Sequence, residues 1–254
     1  MTENERLLSL VSDKIMQSER AYMLTHTNFL NLAERSAVTA FCKENGAKFY
    51  FYGGYFDAER TVLFILPDYM DADENFPLEE DDPLCLLSCR APMGAKSLTH
   101  RDYLGSLLAL GLEREVVGDI LVRENGADII ILKKIADYLL VNFNKAGNVP
   151  LKCEIQPIGE LLLPEIRTQM IRESIASVRL DNIICAIFGF SRAEASAQIT
   201  KGLVFVNDME ILKPDYRLDI GDKIVVRGKG KAYFRELGGT TRKGRLSVIF
   251  EKFI

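Results

Sequence analysis

Apolar and polar positions alternate along this chain in runs that each predict an element. In LLSLVSDKIM, from Leu7, the apolar residues share one helical face. TNFLNLAERSAVTAFCKENG reads as a second helix, with Thr27 as its cap and Gly46 as its stop. KFYFYGG and RTVLFILP read as strands, the first ending at Gly53–Gly54. DYMDADENFPLEEDD, residues 68–82, holds eight acidic residues and reads as a linker or exposed loop.

From Pro83 to Gln156 the order is more regular. LCLLSCR is a strand, and THRDYLGSLLALG a helix capped by Thr99 and ended at Gly111. VVGDILVREN and ADIIILK are strands joined at Asn125–Gly126, a strong hairpin signal. KIADYLLVNFNKAG is a helix running to Gly147, and LKCEIQP the last strand. This β-α-β-β-α-β order is the split βαβ of ferredoxin-like folds. One common use of that fold, the RNA-recognition module, stacks bases on aromatics of its two central strands. Those strands here are LCLLSCR and ADIIILK, which hold no aromatic. The domain is therefore a scaffold, or binds RNA by another surface.

Pro157 and Gly159 mark the next boundary, and a helix is expected from Pro164 to Ser177. In RLDNIICAIFGF, Asp181 is read as the N-cap; Ile183, Ile184, Ile187 and Phe188 form a buried stripe, and Gly189 stops the helix. Ser191-Arg192-Ala193-Glu194 is a capping box. The helix it starts carries Ala193, Ala195 and Ala197, small enough for close packing, and ends at Gly202. LVFVN is a strand turned at Asp208–Met209, and DIGDKIVVRGKG supplies a turn and another strand. The tail GGTTRKGRLSVIFEKF reads as a strand with a basic loop at Arg242-Lys243. The fold class is α+β in three parts: a helical and β-hairpin region (1–75), the ferredoxin-like domain (83–157), and a small α+β domain with a preceding helix and a C-terminal strand (160–254).

Composition narrows the classes. The chain has 254 residues, 48% hydrophobic and 27% charged, which is globular usage. It has no apolar run near membrane-spanning length. MTENERLLSLVSDKIMQSER mixes charges of both signs and lacks a signal-peptide core. Five scattered cysteines, Cys42, Cys85, Cys89, Cys153 and Cys185, argue for reduced thiols in a cytoplasmic protein. Only Cys85 and Cys89 are close in sequence, and no second pair completes a metal quartet. The net charge of −4 hides an asymmetry: residues 1–159 hold 16 basic and 24 acidic residues, residues 160–254 hold 16 and 12. Charge fluctuation or a polyanion-binding module would each produce a basic C-terminal third.

The chemistry of that third favours RNA. Arg192 falls at a helix N-terminus, where free N–H groups and the dipole already favour phosphate, and a guanidinium forks onto phosphate oxygens. Lys201 falls where helix meets strand, beside Gly202, whose missing side chain allows close backbone approach. Asn207 offers donors at the strand's end. Arg227, Lys229 and Lys231 alternate with Gly228 and Gly230 as a basic rim, or as solvated charges.

The run from Arg179 to Lys231 resembles the S-four (alpha-L) RNA-binding domain of ribosomal proteins, pseudouridine synthases and tyrosyl-tRNA synthetases. Arg179-Leu180-Asp181, Ser191 to Ala195, Ile199, Lys201-Gly202, Val204, Val206-Asn207, Asp219, Gly221-Asp222 and Val225 carry the likeness. The resemblance implies an RNA-facing edge of Arg179, Ser191, Arg192, Lys201, Gly202 and Asn207. With SLTHRDYLGSLLALGLEREVVGDILV and GGTTRKGR, the whole chain is similar to the YlmH family of bacterial S-four proteins. That similarity implies an RRM-like middle domain, binding to large-subunit rRNA and tRNA, and a part in ribosome-associated quality control of stalled peptidyl-tRNA. It also implies a gene neighbourhood linked to cell division, and so an adaptor role as an alternative. His100-Arg101-Asp102 and Gly118-Asp119 are family-like and read as structural.

Enzyme readings fare worse. In pseudouridine synthases a catalytic Asp sits in an Arg-Leu-Asp run, but here that run opens a small module with no room for a catalytic domain. GAKS, Gly94 to Ser97, lacks the spacing of a phosphate loop and reads as a turn. His26 and His100 have no metal-spaced partners. The expectation is a non-catalytic RNA-binding protein with no cofactor or metal, no DNA partner and no membrane insertion.

Overall fold

Helix α1 (Glu3–Ala21) starts at a capping box in which Thr2 accepts from the Glu5 N–H and Glu5 accepts from the Thr2 N–H. It buries Val11 and Ile15. The computed structural model describes residues 2–72, 76, 82–163, 167–241 and 244–254. The chain divides into two units, residues 1–164 and 165–254.

In the first unit, β1 (Thr25–Leu30), α2 (Leu32–Glu44), β2 (Lys48–Tyr52) and β3 (Thr61–Leu66) follow α1. The helix expected from Thr27 is corrected here. Thr25, Thr27 and Phe29 are buried in alternation, so the segment is a strand, and β1 pairs antiparallel with β3. Asn31, not Thr27, caps α2: its side chain accepts from the Ala33 and Glu34 N–H groups. Strand order is β1-β3-β2. All six β3 residues are buried, because both faces of this sheet are covered. Leu63 and Ile65 pack with Val11, Ile15, Val38 and Cys42 of α1 and α2. Val62, Phe64 and Leu66 pack the other way.

They meet a second sheet built from β4 (Leu84–Arg90), β5 (Val117–Arg123), β6 (Gly126–Leu132) and β9 (Lys152–Gln156), ordered β5-β6-β4-β9. Helices α3 (His100–Leu108) and α4 (Ala136–Asn142) are the crossovers, and the order is that of a split βαβ fold. Thr99 caps α3 in a box with Asp102. Helix α4 ends five residues before the expected Gly147. Gly147 instead turns a small hairpin of β7 (Lys145–Ala146) and β8 (Val149–Pro150). One core joins Phe29, Val62 and Phe64 to Leu84, Leu86 and Ile130, and joins the sheet to Tyr103, Leu107, Leu139 and Phe143 of the helical side. The face that an RNA-recognition module leaves open is therefore covered by the N-terminal sheet. Of the acidic segment, 73–75 and 77–81 lie outside the described residues. Its described residues form no helix or strand, as expected, but they are not all exposed, since Phe76 packs edge-on to Phe64 and Asp82 is buried.

Gly118 and Asp119 join the two sheets. A Cβ on Gly118 would meet the Phe29 ring at 2.8 Å. The buried Asp119 carboxylate accepts from the Tyr55 hydroxyl (2.7 Å) and the Glu59 and Arg60 N–H groups (2.8 and 3.1 Å). Burial, and then the Asp119 charge, push the Tyr55 phenol up, so it remains a donor. Cys89 and Cys153 are direct cross-strand partners, and the Cys153 thiol donates to Cys89 at 3.2 Å, a proximity invisible in sequence spacing.

The second unit contains β10 (Thr168–Ile175), α5 (Leu180–Phe188), α6 (Arg192–Thr200), β11 (Val204–Val206), β12 (Met209–Glu210), β13 (Lys223–Val226), β14 (Gly230–Thr240) and β15 (Leu246–Phe253). The sheet order is β10-β15-β14-β13-β11-β12. The helix expected from Pro164 to Ser177 is corrected: residues 168–175 form β10, paired along its whole length with β15. Ile171 and Ile175 point to the core, where β10 meets α5. The strand's partner lies more than 70 residues away, which local pattern does not reveal. One face of the sheet packs Ile224, Val226, Ala232, Phe234, Val248 and Phe250 against Ile183, Ile184, Ile187, Ala195 and Ile199. Of the three alanines expected to pack closely, Ala195 is buried and Ala193 exposed. The basic-loop residues Arg242 and Lys243 lie outside the described residues.

Asp119→Ala removes one acceptor from three donors in a buried site. The expected cost is about 2–4 kcal/mol, against about 1 kcal/mol for Tyr55→Phe, read by urea unfolding. RNA affinity of the folded variants should not change.

Candidate nucleic-acid interface

The expected RNA-facing residues all lie in the second unit, and the structure distributes all of them except Lys231, which lies on strand β14, over four places. The first is the corner between α5 and α6. Gly189 adopts φ +73, a left-handed conformation favourable to glycine, and its N–H closes α5 on the Cys185 carbonyl at 3.0 Å. Lys252 donates to the Ile187 carbonyl at 3.3 Å and so satisfies a second orphan at the same helix end. Two residues later α6 begins. The Ser191 hydroxyl accepts from the Glu194 N–H (3.3 Å), and the Glu194 carboxylate accepts from the Ser191 N–H (2.8 Å). Those bonds hold the Glu194 carboxyl below the usual range. Arg192 is the first helical residue and is exposed. Its charge acts on the Cys185 thiol, while that of Lys229 acts on Glu194. Lys229 lies 5.6 Å from the Phe190 ring centroid, and Phe190 lies 6.2 Å from Phe188. Lys252 lies 5.1 Å from Phe188. The corner thus gathers Ser191, Arg192 and Lys229 with Phe188, Phe190 and Lys252, which sequence reasoning missed. The signal was the FGF triplet directly before Ser191-Arg192.

The second place is the other end of α6. Lys201 is its C-cap and is exposed. Nine residues of helix separate it from Arg192, about 13 Å, so the two cations meet different phosphates. Gly202 has φ +69, and a Cβ there would lie 1.9 Å from a Glu210 oxygen. The space vacated by its missing side chain holds Glu210.

The third is the β11–β12 turn. Asn207 and Asp208, not Asp208 and Met209, are its central residues, both at positive φ as a type I′ hairpin requires. The Asn207 amide donates to Asp222 (2.7 Å) and accepts from the Lys223 N–H (2.9 Å), so it ties this turn to β13.

The fourth is the start of α5. Asp181 is not the cap. Arg179 occupies that position, and the first N–H groups are met by backbone: Leu180 donates to Tyr216 and Asp181 to Pro214. The Asp181 carboxylate is instead gripped by Arg179 through two bonds of 3.1 and 2.9 Å. Lys231 lies on the sheet, 4.6 Å from the Phe253 ring centroid.

Three basic residues elsewhere in the unit are paired in place: Arg179 with Asp181, Lys223 with Asp208, and Arg235 with Glu251. Among the described residues, no carboxylate lies within 4.0 Å of the charged groups of Arg192, Lys201 or Lys229. No group of three or more His, Cys, Asp or Glu that could hold a metal occurs among the described residues. No helix among them is long and apolar enough to cross a membrane. In an NMR pH titration, the Ser191 amide proton should follow Glu194 with an apparent pKa below the ordinary value of about 4.3. Because the folded value is depressed, the cap bond is present above the ordinary range and lost as pH falls through the folded value. A midpoint at or above the ordinary value contradicts the box.

Comparison with known proteins agrees with this geometry. Residues 77–160 match a domain model described as a putative RNA-binding domain in YlmH, and residues 178–224 match the S4 domain. The chain is 28% identical over 239 residues to ribosome-associated protein quality control protein P2 of Bacillus subtilis (strain 168), covering 94% of this chain and 90% of that protein. It is similar to a solved structure titled cell division protein ylmH from Streptococcus pneumoniae, with TM-score 0.51 and 25% identity, over 64% of this chain and 96% of that one. With a YlmH-type domain followed by an S4 domain and a relative that spans nearly its full length, the chain is similar to the YlmH family of S4-domain RNA-binding proteins.

Proposed function

We propose that this protein is a non-catalytic, cytoplasmic factor that grips rRNA and tRNA on the large ribosomal subunit during quality control of stalled peptidyl-tRNA. The observation that carries the reading is the α5–α6 corner. There Arg192 and Lys229, whose charged groups have no carboxylate within 4.0 Å among the described residues, flank the N-terminus of α6. A helix N-terminus already favours anions, and the guanidinium adds a bidentate phosphate contact. Lys201 extends the contact to the far end of α6, with Lys231 and Arg179 as further contacts from strand β14 and the start of α5. Ser191, Gly202 and Asn207 hold the backbone in shape. The ribosome enters through the relative in Bacillus subtilis, whose name is that of a ribosome-associated protein quality control protein; the large subunit and stalled peptidyl-tRNA are what the resemblance to the YlmH family implies.

A modifying-enzyme role finds less support. A nucleophilic Asp must reach substrate, and the Asp181 carboxylate is engaged by Arg179 with its side chain 16% exposed.

Sedimentation with isolated large subunits, small subunits and tRNA tests the reading. Native protein should travel with large subunits, and Arg192→Ala/Lys201→Ala should stay in the supernatant while unfolding within about 0.5 kcal/mol of native. With three to five phosphates neutralised, the log–log salt slope should be on the order of −0.7 to −0.9 per phosphate. Each lost cation should reduce it by about one contact. Absence of binding to all three partners at low salt overturns the reading.

A further inference from the structure

We propose that Phe190 is a stacking platform for one unstacked RNA base, with Lys229 and Arg192 holding the phosphates on either side of it. This rests on the RNA-binding reading above and deepens it, since it names what kind of RNA the corner takes.

Two aromatic rings occupy the corner, and they are held differently. Phe188 is the last residue of α5. Beside its ring stands Lys252, whose amine is also engaged by the Ile187 carbonyl. That cation is part of the helix end. Phe190 follows the left-handed Gly189, so its ring is carried out of α5 and set just before the α6 cap. It packs against the core while remaining part-exposed. The cation beside it, Lys229, is exposed and sits between Gly228 and Gly230, both at positive φ. Its amine lies 5.6 Å from the ring centroid, near the outer limit of a cation–π contact. Such a contact at an exposed site is weaker than the stacking of a base on an aromatic ring. A nucleotide arriving at Phe190 therefore displaces the lysine from the ring towards a phosphate, where its charge is better used. Two residues after Phe190, Arg192 stands at the first position of α6 with a fork-shaped guanidinium for the next phosphate.

Backbone neutralisation alone does not distinguish RNA forms, but stacking does. A paired helix keeps its bases stacked on one another, whereas loops and bulges present bases that splay out onto aromatic side chains. The corner is thus suited to a loop or bulge with at least one free base.

The chain contains no tryptophan, so Phe190→Trp introduces a sole indole at the site. Its emission should be quenched on titration with an RNA hairpin carrying an unpaired loop. A fully paired RNA duplex of equal length should leave it unquenched. Phe190→Leu keeps an apolar side chain but removes the ring. Its affinity for the hairpin should fall about 5- to 150-fold, the range for loss of one stacked base, with the salt slope unchanged. Lys229→Gln should instead lower the salt slope by about one phosphate contact. If Phe190→Leu binds the hairpin as native protein does while Arg192→Ala weakens it, the platform is wrong and the RNA-binding reading stands. If Phe190→Trp is quenched equally by duplex and hairpin, the preference for a free base is wrong. If the native chain binds neither RNA at low salt, the RNA-binding reading itself fails.

Discussion

The second unit depends on one tight reversal of the chain, from Phe188 to Ser191, between two nine-residue helices. A helix end exposes carbonyls at one terminus and N–H groups at the other, and each needs a partner. Here both sets find partners within the corner or directly above it. Gly189 and Lys252 serve α5, and Ser191 and Glu194 serve α6. With the ends satisfied, Ile183, Ile184, Ile187, Ala195 and Ile199 seal one core against the sheet. The same reversal sets Phe190 two residues before Arg192, and Lys229 reaches the Phe190 ring from the turn between β13 and β14. The device that stabilises the fold is thus the device that builds the candidate interface. In the proposed reading, RNA is met by residues whose backbone is held by these caps and whose side chains are exposed or part-exposed.

The first unit is organised by the opposite logic. Strands β3, β4 and β6 are buried nearly end to end because both faces of both sheets are covered. A domain model describing residues 77–160 as putatively RNA-binding meets, in this chain, a sheet with no open face and no aromatic in its two central strands. Any nucleic-acid contact by this unit must use its loops, edges or helices. The buried Asp119 network and the missing Cβ of Gly118 explain why the two sheets stay locked, which gives the Gly118-Asp119 pair a structural role.

Much of this was legible in the chain because the relevant forces are local. The Thr99 and Ser191 caps and the βαββαβ order follow from turn chemistry and periodicity within a few residues, and so does the β5–β6 hairpin, although its central residues are Glu124 and Asn125 rather than the expected Asn125 and Gly126. The failures share a different cause. Residues 168–175 are a strand because β15 pairs with them, and that partner is distant in sequence. Thr27 is a cap-type residue, yet it is buried in a strand whose Phe29 joins a core assembled from two sheets. Asp181 was a sound cap by type, but carbonyls of Pro214 and Tyr216 had already paired the first N–H groups of α5. At the site, Arg192 and Lys201 were legible as charges on a capped helix. Phe190 was not, because its partner Lys229 arrives from a turn nearly forty residues later.

The central claim is that RNA meets this protein at the α5–α6 corner. Ultraviolet crosslinking of the full chain to large ribosomal subunits, followed by mass spectrometry of the RNA-bearing peptides, tests it most directly. The account predicts crosslinks on the peptides that contain Phe190–Arg192 and Lys229. Crosslinks confined to residues 1–164, with none on those two peptides, would contradict it.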